Sequence, residues 1–136
     1  MDFLKSMQIA ASGLRAQAGR MRIISENIAN ADSTPASSNL DPYRRKVPSF
    51  TSAFDRALEA QTVNLGKVGI DNSEFRLKYE PGHPAADQNG YVKYPNVDTL
   101  IESMDMREAQ RTYEANLNVV TVTKQMLART LDILKA

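Results

Sequence analysis

The 136-residue chain has no cysteine, which excludes disulfides, thiolate zinc sites and a thiol nucleophile. Histidine is almost missing as well. His83 stands alone in Pro81-Gly82-His83-Pro84, so no multi-histidine metal site can form, and no serine has an evident His/Asp relay beside it. Apolar stretches reach only a few residues, far short of the roughly 18 needed to span a bilayer. Seventeen Lys and Arg oppose sixteen Asp and Glu, and the resulting +1 gives no global electrostatic case for nucleic acid or an anionic membrane. No Walker-type or dinucleotide glycine pattern occurs. The opening Met1-Asp2-Phe3-Leu4-Lys5 begins with an acid and never enters the apolar run of about seven residues that a cleavable signal needs. Catalysis, a cofactor and a bound metal are all unexpected.

What remains is an ordinary globular composition, 42% hydrophobic and 24% charged, in a chain of single-domain length. Residues 1–31 are the first periodic segment. Phe3, Met7, Ala10, Leu14, Gln17, Met21, Ile24 and Ile28 step by four and three, a heptad seam of about four repeats broken only at Gln17. Gly13 and Gly19 each lower helix propensity by about 1 kcal/mol, and equally let another backbone approach. Asn30-Ala31-Asp32-Ser33-Thr34-Pro35 ends the helix, because Pro35 disfavours helical geometry in the residue before it.

The middle changes character. Residues 32–49 form a Ser/Pro/Asn/Asp-rich connection carrying the basic run Arg44-Arg45-Lys46, either a solvated face or a contact for an acidic partner. Phe50, Phe54, Ala57 and Leu58 suggest a short helix over 50–60. From Glu74 to Glu80 the period becomes two, with Phe75, Leu77 and Tyr79 on one face of a half-buried strand. Val68 and Ile70, with Asp71-Asn72-Ser73 as the turn, suggest its hairpin partner, and Tyr91–Tyr94 a third strand.

Helical periodicity returns at 98–136. Asn96 or Thr99 is a candidate cap, Thr99 forming a capping box with Glu102. Acids (Asp98, Glu102, Asp105, Glu108, Glu114) dominate the first half and bases (Lys124, Arg129, Lys135) the second, as the helix dipole favours. At 1.5 Å per residue this helix would be about 55 Å long and the first about 45 Å, lengths suited to a bundle or filament. The pattern predicts a mainly α protein with a small β insertion. Long N- and C-terminal helices (1–31 and 98–136) pair as a coiled coil, and a linker with a short β-hairpin or small sheet (32–97) lies between them.

The last helix has two apolar stripes: Tyr113, Leu117, Val120, Leu127, Leu131 and Leu134, and, offset from it, Val119, Val122, Met126 and Ile133. One neighbouring helix covers one stripe. The second must be covered by the strands folding back or by another molecule. Since each buried Leu, Val or Met contributes about 1.5–3 kcal/mol, an uncovered stripe favours assembly.

Several segments resemble a known family. ASGLRAQAGRMRIISENIANAD (11–32) is similar to the N-terminal signature of bacterial flagellar axial proteins, the rod and hook proteins that share an SGL…NIAN pattern. DPYRRKVPSF (41–50), YEPGHPAADQNGYVKYPNVD (79–98) and RTYEANLNVVTVTKQMLARTLDILKA (111–136) resemble, more narrowly, proteins of the proximal rod. The likeness spans nearly the whole chain, with departures at the linker 33–40 and at Ser103.

The resemblance implies a structural subunit without cofactor. Its terminal helices would pack as coiled coils into the hollow rod that joins the motor's membrane ring to the hook and carries torque. It would reach the periplasmic part of the basal body through the flagellar type III export apparatus, without a cleaved peptide. Its partners would be copies of itself and other rod proteins, with membrane-ring and export-gate components nearby, and neither nucleic acid nor a membrane span. Subunit packing would fall to Met7, Leu14, Met21, Ile24 and Ile28 and to Leu117, Val120, Leu127, Leu131 and Leu134. Asn27, Asn30, Tyr113 and Asn116 lie in the signature segments, and a buried Asn in a helical interface fixes register. The alternatives are a cytosolic helical adaptor or oligomerisation module unrelated to the flagellum, and a small hydrolase or metal-dependent enzyme centred on His83.

Overall fold

Both segments of helical periodicity are helices in the computed structural model, which describes residues 2–135. The first, α1, spans Phe3–Ala29, and the last, α2, spans Thr99–Lys135. Asp2 caps α1 by accepting the Lys5 N–H at 3.1 Å. At its other end the Asn30 amide folds back on the Glu26 carbonyl at 2.8 Å. Between the helices lie six short strands: β1 (Lys46–Val47), β2 (Phe50–Asp55), β3 (Ala60–Leu65), β4 (Gly69–Ile70), β5 (Arg76–Tyr79) and β6 (Tyr91–Tyr94). They form three antiparallel pairs, β1–β4, β2–β3 and β5–β6. The protein is therefore mainly α with small sheets.

Two compact units divide the chain, and each helix contributes to both. The first comprises the chain up to Met21, Ser49–Lys67 and the chain from Arg107 on. Here β3 lies along α1. Lys5 Nζ donates to the Glu59 carbonyl (3.3 Å), and the Val63 N–H donates to Ser12 Oγ (3.2 Å), which itself donates to the Ile9 carbonyl (2.6 Å). Seven residues further on, a β-carbon at Gly19 would lie 2.7 Å from Leu65 Cδ2. Positions 5, 12 and 19 are one row of the helix, two turns apart. On another row α2 runs antiparallel to α1. A β-carbon on Gly13 would sit 2.8 Å from Asn116 Nδ2, and Arg20 pairs with Glu108 at 3.5 Å. The second unit comprises Arg22–Pro48 and Val68–Met106, with Ile23, Ile24, Val92 and Val97 buried.

Several sequence expectations are corrected. Residues 50–60 are not a helix but the β2 strand and its turn into β3. Phe50 and Phe54 have helical spacing, yet Asp55 Oδ1 accepts the Ala57 and Leu58 N–H groups (2.9 and 3.3 Å) and Glu59 adopts φ 51°. That closes a hairpin instead. Val68–Ile70 does not pair with 74–80 either. Its β4 residues pair with β1, while β5 pairs with β6 across the 81–90 loop. The Asp71-Asn72-Ser73 turn is diverted because Asn96 Nδ2 donates to the Asp71 and Ser73 carbonyls (2.9 and 3.2 Å). Nor is β5 half-buried: Leu77 and Tyr79 are exposed, as is the rest of the strand, and it is Val92 of its partner β6 that is completely buried.

The cap of α2 is Asp98, whose Oδ1 accepts the Leu100 N–H at 3.0 Å, rather than Asn96 or Thr99. Glu102 is thereby free of the capping box. The strands also leave the second α2 stripe uncovered: Val119, Val122, Met126 and Ile133 are 46–74% exposed.

The tight approach at Gly13 gives a prediction. Gly13→Val should destabilise the protein by about 1–3 kcal/mol through overpacking, and by clearly less in an Asn116→Ala background. Denaturant midpoints of the four combinations measure both.

Candidate assembly surface

The second unit is organised around one buried side chain, Asn27. Its Oδ1 accepts from the Tyr43 hydroxyl (2.7 Å) and the Lys46 N–H (2.9 Å), and its Nδ2 donates to the Lys46 carbonyl (2.8 Å) and to Glu102 Oε2 (3.5 Å). Glu102, 1% exposed, accepts from Arg45 Nε on its other oxygen. Arg45 also faces Asp71 and Asp105, each at 3.7 Å, and its N–H donates to Asn96 Oδ1 (2.8 Å). Both Asn27 amide atoms and both Glu102 oxygens are thus satisfied, the condition under which a buried polar network specifies one packing. Burial opposes the Arg45 charge, but the hydrogen bond and charge of Glu102, with Asp71 and Asp105, outweigh it and raise its pKa. Burial raises the Tyr43 phenol. Hydrogen bonds from Ser73 hold the Asp71 carboxyl below its ordinary 3.8, and Lys78 and Tyr94 hold Glu80 below its ordinary 4.5.

The basic run is thereby absorbed within the unit. Arg45 belongs to the network, Lys46 Nζ pairs with Glu26 at 3.0 Å, and the Arg44 guanidinium stacks 4.1 Å from the Phe75 ring. His83 is occupied too. Its Nδ1 accepts the Ala85 N–H at 3.0 Å, which places the ring proton on Nε2, 3.4 Å from Thr34 Oγ1.

The helices place the other sequence candidates on two kinds of surface. Ile24 is buried, while Met7, Leu14, Met21 and Ile28 are only half-buried. The buried positions of α1 (Ala10, Ser12, Ala16, Ile23, Ile24, Asn27) are mostly small or polar. They centre on the order of a third of a turn from the Met7–Ile28 row. On α2 the inward row is Glu102, Ala109, Asn116, Val120 and Thr123, with Tyr113 beside it, whereas Leu117, Leu127, Leu131 and Leu134 are exposed. Asn116 packs on Gly13, and the Asn30 side-chain amide bonds to the Glu26 carbonyl of its own helix while the Asn30 carbonyl accepts from Ser33. Gln17, which interrupts the seam, holds the one buried side-chain polar atom without a partner among the described residues, its Oε1. Sequence reasoning missed Tyr43 and Ser12, and gave Arg45 and Asn96 other roles, as part of a basic run and as a candidate helix cap; the structure places both in the network. Tyr43, Arg45 and Asn96 carried a signal, polar and aromatic residues within the resembling segments. Ser12 carried none beyond its small size.

Two long helices whose buried positions are mostly small or polar, and which leave large apolar residues of α2 exposed, have the features of a structural subunit with apolar surface still to cover. Comparison with known proteins agrees. The family model for flagella basal body rod proteins matches residues 7–35, and that for the C-terminal part of flagellar basal body rod FlgEFG proteins matches residues 88–133. These segments lie largely on α1 and α2. The chain is 52% identical to the flagellar basal-body rod protein FlgC of Agrobacterium fabrum over 95% of this chain and 93% of that one. It is 39% identical to FlgC of Bacillus subtilis over 98% and 99%, and 38% identical to FlgC of Salmonella typhimurium over 98% of each. The chain belongs to the FlgC family of flagellar basal-body rod proteins, and it is a structural subunit of the flagellar rod.

Two predictions follow from the polar network. Glu102→Ala leaves the Arg45 guanidinium facing only Asp71 and Asp105 and should destabilise the protein by about 3 kcal/mol, toward the lower end for a broken buried pair because Arg45 keeps those carboxylates and some solvent. Because Asp71 and Glu80 titrate lower when folded, the unfolded chain binds more protons as pH falls through 4.5 and 3.8. Their contribution is complete above that window and is lost below it. An Asp71→Asn, Glu80→Gln variant should therefore lose less stability than the parent between neutral pH and pH 3, as read by urea midpoints.

Proposed function

We propose that the subunit builds the proximal rod through its incompletely covered helix rows, the half-buried Met7–Leu14–Met21–Ile28 row of α1 and the exposed residues of α2, packed as coiled coils against neighbouring copies and other rod proteins. The observation that carries this reading is the exposure of Val119, Val122 and Met126, each 46–47%, on a helix whose inward row is small and polar. Packing such side chains against a neighbour removes from water what the chain cannot cover itself. Leu131 and Leu134 extend the same capacity toward the end of α2. Asn27 and Asn116 act as register residues, with Asn27 holding the register of α1 against the 43–46 segment inside each subunit. Asn30 and Tyr113 flank these positions.

Stacked in this way, the helices form the wall of a hollow shaft that passes torque from the membrane ring to the hook. The middle segment, 32–97, faces neighbouring subunits or surrounding rings. The protein acts in the periplasmic rod after export without a cleaved peptide, close to ring and export-gate components, and has no catalytic role. The network around Arg45 and the turn around His83 are structural on this reading.

The experiment is a lysine scan of the outer row. Val122→Lys and Met126→Lys should leave the isolated subunit's stability within about 0.5 kcal/mol, as exposed substitutions do. Motility and incorporation into purified basal bodies should be abolished, with immunogold label on the parent confined to the proximal rod. Normal motility of both variants, or label elsewhere, would contradict the reading.

A further inference from the structure

The β2–β3 hairpin leaves one strand edge open. In an antiparallel ladder, hydrogen-bonded and non-hydrogen-bonded pairs alternate. The Gly66 N–H donates to the Ser49 carbonyl at 2.7 Å, and the Val63 N–H leaves the ladder for Ser12 Oγ. With Phe50 opposite Leu65, Ser52 opposite Val63 and Phe54 opposite Gln61, the alternation turns the N–H and C=O groups of Phe50, Ser52 and Phe54 outward, on the side of β2 away from β3.

This edge lacks the usual protection. Natural edge strands carry lysines, prolines or bulges that block pairing with another chain. From Phe50 to Phe54 there is no charge and no proline, the two strands stay in unbroken register, and every one of the five residues is exposed. Phe50 and Phe54 are 43% and 57% exposed, and with Ser52 they share one face of the strand.

The segment is also its own complement. Phe-Thr-Ser-Ala-Phe reads nearly the same from either end, with a serine at its centre. We propose that β2 pairs antiparallel with β2 of a second copy about a two-fold axis at Ser52, making a continuous four-stranded sheet. In that register Ser52 faces Ser52 of the other copy, each Phe50 faces a Phe54, and Thr51 faces Ala53. The outward groups of Phe50, Ser52 and Phe54 all find partners, the phenylalanines form cross-strand aromatic pairs, and no like charges meet. A two-fold contact closes on itself and cannot extend a shaft. The pair therefore belongs to the subunit before it enters the rod, and its existence does not depend on how the rod is built.

The test uses the purified full-length chain, whose lack of cysteine makes single-cysteine variants unambiguous. Sedimentation equilibrium of the parent should show a monomer–dimer equilibrium. Ser52→Lys, which sets two ammonium groups against each other at the axis, should weaken the dimer at least tenfold while leaving unchanged the circular dichroism spectrum and the thermal midpoint measured at dilutions where the parent is monomeric. Ser52→Cys should form a disulfide-linked dimer on mild oxidation, and Asn64→Cys on β3 should not. A mixture of Thr51→Cys and Ala53→Cys chains should cross-link preferentially to each other. A parent that stays monomeric throughout, association that Ser52→Lys leaves unaltered, or equal cross-linking at 52 and 64 would overturn the proposal.

Discussion

Close approach through small residues governs this molecule. Gly13 lets Asn116 come against the α1 backbone, Gly19 admits Leu65, and Ser12 takes the free N–H of Val63. A larger side chain at 12, 13 or 19 would hold the elements apart. The consequence is a lean interior: among the described residues, Ala10, Ala16, Ala31, Ala85 and Ala109 make up most of the buried hydrophobic side chains. Alanine offers little area for burial, whereas a Leu, Val or Met removed from water contributes about 1.5–3 kcal/mol. Many of the large apolar side chains, Leu117, Val119, Val122, Met126 and Leu131 among them, therefore stay exposed, where another molecule can cover them.

Specificity inside the second unit comes from polar geometry instead. Asn27 joins the end of α1 to the backbone of Lys46 and to Glu102 at the start of α2, and Arg45 extends the connection to Asp71 and Asp105. A network of this kind adds little net stability but penalises every other packing heavily, since a shifted register would leave buried polar groups unpaired. A structural rod subunit benefits from such a single allowed arrangement.

Much of this was legible in the sequence, and the failures share a physical cause. The helices were readable because 27 and 37 residues of consistent period outweigh local noise. The uncovered second stripe was readable for the same reason. Among the short elements the strands over 74–80 and at Tyr91–Tyr94 were readable, as β5 and β6, but 50–60 was not, because Phe50 and Phe54 fit either period and only the Asp55 turn chemistry and the position of β3 against Ser12 decide for a strand. The β4 and β5 partners depend on Asn96, 23 residues from Ser73, a tertiary contact without local signature. The seam itself was identified correctly as apolar, yet its inward or outward direction could not be read from periodicity. Heptad spacing states that a row needs a partner and is silent on which molecule supplies it. Asn27 was singled out through the segments resembling flagellar axial proteins, and its actual partners, Tyr43 and Glu102, required the fold.

The central claim is that the outer helix rows are open in the lone subunit and covered in the rod. Oxidative footprinting of Met126, exposed on α2, measures this directly in purified subunit and in isolated basal bodies. The account predicts rapid sulfoxide formation in the free subunit and strong protection in the rod. Equal oxidation of Met126 in both states would contradict it.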